Sequence, residues 1–103
     1  MDKETAIASS NRFVEEVLKK FAPSSIILYG SYANDTARES SDIDIAVVFD
    51  EYPDSILDGM KSLFRLRRDV DDRIEPILLE KCNDKSGFYN HVLKTGQILY
   101  SNQ

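Results

Sequence analysis

The stretch IILYGSYANDTARESSDIDIAVVF, residues 26–49, decides the fold of this chain. It holds two apolar runs, 26–29 and 43–49, the second interrupted by a single aspartate. Their β-branched residues favour two strands joined by a polar connection. The first run ends in Gly30 and Ser31, where the chain enters a short helix or helical turn over about 31–36. Residues 38–41 then lead into the second strand. A strand turns successive side chains to opposite faces. Asp42, Asp44, Ala46 and Val48 therefore share one face, and Ile43, Ile45, Val47 and Phe49 the other, which helices should cover.

Working outward, residues 5–21 read as a helix. Phe13, Val14, Val17, Leu18 and Phe21 recur at helical spacing as one stripe, Glu15–Lys19 and Glu16–Lys20 are favourable i,i+4 pairs, and Pro23 ends the element. Beyond a turn at 50–54, residues 55–70 read as a second helix capped by Asp54 or Ser55. Ile56, Met60, Leu63, Phe64 and Arg67 or Val70 lie toward one side of it. Residues 73–79 read as a third strand with Arg73, Glu75, Ile77 and Leu79 on its odd face. Pro76 marks that strand as an edge or a bulge. A last short helix follows Asn83 and Asp84, runs through Lys94 and stops at Gly96. Residues 98–100 form a small terminal strand or tail. The order helix, strand, turn, strand, helix, strand, helix fits one α/β (α+β) domain over 1–103, a small mixed sheet with helices packed mainly on one face.

The whole-chain numbers agree. At 103 residues there is room for one modest core, which a partner or a second copy could complete. The apolar fraction is 42% and the charged fraction 30%, with a formal net charge of −5. That acidity opposes nonspecific binding of long nucleic acids but not of a small nucleotide, because bound cations reverse a local field. Arg65, Arg67, Arg68 and Arg73 are diluted by Asp69, Asp71 and Asp72, so they read as a salt-bridged helix end. The single cysteine, Cys82, excludes an internal disulfide and reads as packed; a reducing, cytoplasmic setting fits. No run approaches membrane-spanning length, and the first ten residues do not read as a signal peptide.

The chemistry resides in five residues. A glycine at a strand-to-helix junction lets backbone approach an anion, helix-start amides point at it, and a serine hydroxyl adds a donor. Gly30 and Ser31 have this form, although a turn glycine with a serine cap has it too, and the further glycines and lysine of a Walker loop are missing. Asp42 and Asp44 project from one strand face. Two unpaired carboxylates so placed repel unless cations neutralise them, and hard oxygen donors favour Mg²⁺ or Mn²⁺. The alternative is a solvent-facing pair at a strand start. Glu75 is the third candidate ligand if its strand pairs beside theirs; otherwise it pairs with Arg73 or another base. Three carboxylates holding two ions suit a two-metal transfer in which the third also helps accept a hydroxyl proton. His91, the only histidine, reads as a surface or interface residue. Tyr32, beside the cradle, either stacks on a base or packs.

The run Gly30-Ser31, ten residues, Asp42-Ile43-Asp44 resembles the signature of the DNA polymerase beta nucleotidyltransferase superfamily, and in particular its minimal nucleotidyltransferases. Residues 73–76 are similar to that group's third-carboxylate strand, with glutamate where many relatives carry aspartate. The resemblance implies a polymerase-beta-like fold. It implies that Gly30 and Ser31 hold the β and γ phosphates of a nucleoside triphosphate, while Asp42, Asp44 and Glu75 serve as catalytic metal ligands for two Mg²⁺ ions. Arg38 could reach phosphate or lie in solvent. Such proteins commonly accompany an all-helical HEPN-domain protein in toxin–antitoxin pairs, in some of which AMP is transferred from ATP onto a tyrosine of the toxin. Three functions follow as expectations. The first is a metal-dependent transferase acting on a partner protein's hydroxyl. The second is a non-catalytic module that neutralises or scaffolds a HEPN-like partner by contact. The third, disfavoured by the lack of an acceptor domain, is an enzyme that modifies a small cationic substrate.

Overall fold

The computed structural model describes residues 3–34, 36–37 and 41–102. Helix α1 spans Lys3–Lys20, strand β1 Ser25–Tyr29, strand β2 Ile43–Phe49, helix α2 Ile56–Arg67, strand β3 Ile74–Glu80, helix α3 Phe88–Thr95 and strand β4 Gln97–Ser101; a 3₁₀ turn, Gly30–Tyr32, follows β1. The terminal segment is thus a strand, not a tail. No helix among the described residues is long and apolar enough to cross a membrane.

The four strands form one mixed sheet in the order β3-β2-β1-β4. β1 pairs antiparallel with β2 and with β4, while β2 and β3 run parallel, joined through α2. The alternation expected for β2 holds. Ile43, Ile45, Val47 and Phe49 join Ile26, Leu28, Ile74 and Leu78 in the main core, together with Phe13 and Val17 of α1 and Leu63 and Leu66 of α2. Burying a side chain of this size is worth roughly 1.5–3 kcal/mol, so this layer fixes the sheet's register: a one-residue slip of β2 would turn its apolar set outward. The other face carries a smaller cluster of Ile27, Ala46, Val48 and Val92, the last from α3. Two helices therefore cover one face, and the two-turn α3 covers part of the other.

Some details differ from expectation. In α1 the buried set is Ala6, Ser10, Phe13, Val14 and Val17, whereas Leu18 lies at the margin, 38% exposed. In α2 the buried side is Gly59, Leu63 and Leu66, and Ile56 is exposed. Gly59 is buried because Tyr52 and Leu78 pack where a side chain would stand. Ser55 caps α2, its hydroxyl accepting the Asp58 N–H at 3.3 Å. Cys82 is exposed rather than packed, because it falls in a 3₁₀ turn, Lys81–Asn83, beyond the sheet.

β3 is the edge strand that Pro76 foretold. The Arg73 carbonyl accepts the Ile43 N–H at 2.8 Å, so odd residues of β3 face β2 with their backbone groups. The even residues face outward. Their outward N–H groups find local partners: Ile74 donates to the Asp71 carbonyl at 3.1 Å and Leu78 to Met60 Sδ at 3.1 Å. Pro76 stands between them, where a ladder donor is not needed.

Candidate functional site

The ends of three strands build the site. In β1–β2 pairing Tyr29 stands opposite Asp44, and in β2–β3 pairing Asp44 stands opposite Glu75. Paired residues point to the same face, so Tyr29, Asp44 and Glu75 form a transverse row with about 5 Å between neighbouring strands. Asp42 lies two residues before Asp44, on the same side, at the entry to β2. The parallel register that brings Glu75 to Asp44 is the pairing the sequence required for a third carboxylate.

Gly30 closes the row. Its φ is +75°, a left-handed conformation that disfavours other residues. A Cβ at Gly30 would overlap Asp44 Oδ2. The glycine is therefore needed twice over, to turn the chain out of β1 and to leave space for the carboxylate. Its carbonyl accepts the N–H groups of Ala33 and, at 3.1 Å, of Asn34, which curls the chain into the short turn that carries Ser31. Tyr32 is 2% exposed and belongs to the core, so of its two readings packing is the one found. Arg38 lies outside the described residues.

The electrostatics of the row are one-sided. Burial, then the negative charges of Asp42 and Glu75, push the Asp44 carboxyl above the usual carboxylate range. Burial and the charges of Asp44 and Glu75 push the Tyr29 phenol up to about 12. Burial and neighbouring negative charges thus act together on a half-buried place. Among the described residues, Arg67 reaches the row, its Nη1 3.3 Å from Glu75 Oε1. Arg73, the base first considered for Glu75, instead lies 3.6 Å from Asp71 Oδ1. Tyr29 also meets Phe88 of α3 edge-on at 5.7 Å, and His91, exposed, lies against Phe88 at 6.4 Å. The first turn of α3 therefore walls one side of the site.

Among the described residues no group of three His, Cys, Asp or Glu side chains is already gathered to hold a metal ion. The donor set nevertheless fits one. Asp42 and Asp44 are hard oxygen donors, and burial, then the charges of Asp42 and Glu75, raise the proton affinity of Asp44, an effect that a bound cation would oppose. Glu75 stands beside them in the row, with its Oε1 3.3 Å from Arg67 Nη1. A separate concavity of about 440 Å³, lined by Phe21, Phe49, Tyr52, Pro53 and Asp54 among others, opens at the far end of β2 and contains none of these residues.

Of the residues singled out from the sequence, the structure brings Gly30, Asp44 and Glu75 together, and it adds Tyr29 and Arg67, which sequence reasoning did not single out. Tyr29 was one tyrosine among five, and only its cross-strand partner distinguishes it. Arg67 was absorbed into a basic helix end. The one available signal was Pro76, which marks β3 as an edge around which a long side chain can reach.

Comparison with known proteins places these residues in a family. The sequence profile described as "Polymerase beta, Nucleotidyltransferase" matches residues 13–103. A relative from Methanocaldococcus jannaschii, provisionally named a protein adenylyltransferase, is 34% identical over 105 aligned residues, covering 97% of this chain and all of the relative. A crystal structure of a provisionally named nucleotidyltransferase from Sulfolobus solfataricus superposes with a TM-score of 0.75 at 22% identity, covering 97% of this chain and 84% of that one, a likeness of fold. A chain from the crystal structure of a toxin–antitoxin with AMP-PNP superposes with a TM-score of 0.65 at 26% identity, covering 90% of this chain and 74% of that one.

Proposed function

Because this chain belongs to the polymerase beta nucleotidyltransferase family, an enzyme family with the fold described above, we propose that it transfers AMP from ATP to a hydroxyl of a partner protein. The observation that carries this reading is the row of Asp44 and Glu75 on adjacent strands, with Gly30 packed against Asp44. It couples a phosphate-binding turn directly to a carboxylate cluster.

Gly30 and Ser31 hold the β and γ phosphates, the glycine by close backbone approach and the serine by its hydroxyl. Asp42 and Asp44, with Glu75, would hold Mg²⁺ or Mn²⁺, which supplies charge neutralisation at the phosphates and acidifies the acceptor hydroxyl. The acceptor oxygen attacks the α phosphorus. The bond from that phosphorus to the oxygen bridging to the β phosphate breaks, and pyrophosphate leaves. The hydroxyl proton passes to a carboxylate of the site, a part open to Glu75, whose side chain is 43% exposed. We take the acceptor to be a protein. The relative named for protein adenylylation and the neighbour from a toxin–antitoxin complex support that choice. A HEPN-domain toxin is the acceptor we propose, with this chain as its antitoxin.

The test adds α-labelled ATP and Mg²⁺ to native-host lysate with the wild-type chain or with Asp42→Asn/Asp44→Asn. Wild type should label one protein band, and the double variant should lower labelling by about 100-fold or more. Equal labelling by both would overturn the assignment. A second reading is favoured by the Arg67–Glu75 pair, which leaves the third carboxylate engaged. In it the chain neutralises its partner by contact alone. That reading expects a stable complex from wild type and from the double variant, without nucleotide and without labelling.

A further inference from the structure

Glu75 and Arg67 come from opposite sides of the sheet. α2 packs on the face of Ile74 and Leu78, whereas Glu75 points with Asp44 to the other face. The guanidinium passes around the open edge of β3. Its Nη1 donates to the Ile74 carbonyl at 3.0 Å and to Glu75 Oε1 at 3.3 Å, and its central carbon lies 4.8 Å from the centre of the Phe64 ring.

These contacts are unequal in kind. Ile74 is an outward-facing residue of an edge strand, so its carbonyl has no ladder partner and needs a donor of its own. The Ile74 carbonyl and the Phe64 ring hold Arg67 in place independently of Glu75. Glu75, by contrast, is a half-exposed side chain on a flexible stem, beside Asp44 in the row. It can turn from the edge toward the aspartates by rotating its own torsions. The base is fixed and the acid is exchangeable. A glutamate has one more methylene than an aspartate, and that length allows one carboxylate to serve both places.

We infer that Arg67 is a positioning residue that parks Glu75 on the sheet edge and competes with a divalent cation for it. This rests on the reading above in which Asp42 and Asp44 bind the cation. The chain keeps two carboxylates on offer, and the third joins only by giving up Arg67. Arg67 thereby sets how tightly the cation is held, without touching substrate.

Mn²⁺ binding to the full chain, by calorimetry and by the paramagnetic resonance of the ion, tests this without any turnover. Arg67→Gln should tighten Mn²⁺ at least about fivefold. The same change made on top of Glu75→Gln should have no effect, because the competition acts through that carboxylate. Glu75→Asp leaves the mount of Arg67 intact and shortens the acid, so it too should tighten Mn²⁺; it serves if Arg67→Gln does not fold. Equal tightening by Arg67→Gln with and without Glu75→Gln would reduce Arg67 to a distant charge and overturn the proposal. Unchanged or weaker binding in both Arg67→Gln and Glu75→Asp would overturn it as well. Mn²⁺ binding indifferent to Asp42→Asn/Asp44→Asn would instead overturn the parent reading of the aspartates.

Discussion

At the scale of the residue, Gly30 and Asp44 constrain each other. Gly30→Ala forces a left-handed φ on a residue with a Cβ and pushes that Cβ into the Asp44 carboxylate. The expected cost is about 1–3 kcal/mol in denaturant unfolding, with loss of nucleotide affinity in a binding titration. Asp44 makes a prediction of opposite sign. Its folded carboxyl holds a proton more tightly than the unfolded chain does, by burial and then by the charges of Asp42 and Glu75. The native state therefore loses stability as pH rises from the ordinary value of 3.8 through the raised one. Asp44→Asn removes that penalty. Its thermal midpoint should exceed that of wild type at neutral pH and match it at a pH below 3.8, where both are uncharged. A variant less stable than wild type at neutral pH would show that Asp44 is structurally paired. A site carboxylate that destabilises its own fold is the usual sign of a group kept for function. Gly30, Ser31, Asp42 and Asp44 were legible as residue types at a spacing. The clash that makes Gly30 obligatory was not, because it depends on how β1 and β2 pair.

At the scale of the element, two details of the edge and of α3 are open to test. Asp84 lies before α3 and its carboxylate accepts the N–H groups of Tyr89 at 2.9 Å and Asn90 at 3.1 Å. It fills the start of a two-turn helix that could not hold its own first turn in water. Asp84→Ala should cost about 1 kcal/mol in chemical unfolding, and because Phe88 abuts Tyr29, it should loosen the wall of the site first. Amide exchange in residues 88–95 reads this directly. A variant with native protection there would show that Val92 alone holds the helix. Pro76 concerns the edge. By alternation its missing N–H faces outward, so Pro76→Ala should cost no more than about 1 kcal/mol, the unfolded-chain entropy that a proline saves. Ile77→Pro, one residue on, removes an inward group of the β2 ladder and should cost more. Equal costs would mean that the outward and inward sets are assigned the wrong way round. The helices, their caps and the edge strand were readable from period and punctuation. The exposure of Leu18, Ile56 and Cys82 was not, because it depends on which neighbours a surface meets.

At the scale of the whole molecule, the sheet order brings to one end of β2 what the sequence spreads over 47 positions, from Tyr29 to Glu75. If that end binds nucleotide and cation together, Mg²⁺ with a non-hydrolysable ATP analogue at a hundred times its dissociation constant should stabilise the fold by about 2.7 kcal/mol. Chelation should remove the gain, and Asp42→Asn/Asp44→Asn should never show it. The same stabilisation in the presence of chelator would mean that the analogue binds without the cation. The sequence by itself determined the class of fold, because period-two and period-3.6 apolar patterns admit few layered solutions. It also determined the glycine-serine turn and the aspartate pair, because these are local: a glycine, a serine and two alternate residues keep their relation in any strand-turn-strand. Only the tertiary structure decided that Glu75 stands beside Asp44, that Tyr29 completes the row, and that Arg67 reaches around the edge to hold the third carboxylate. Those relations arise from strand register and from the packing of α2 on β3. Register is set by burial of the whole apolar face at once, so no short stretch of sequence records it.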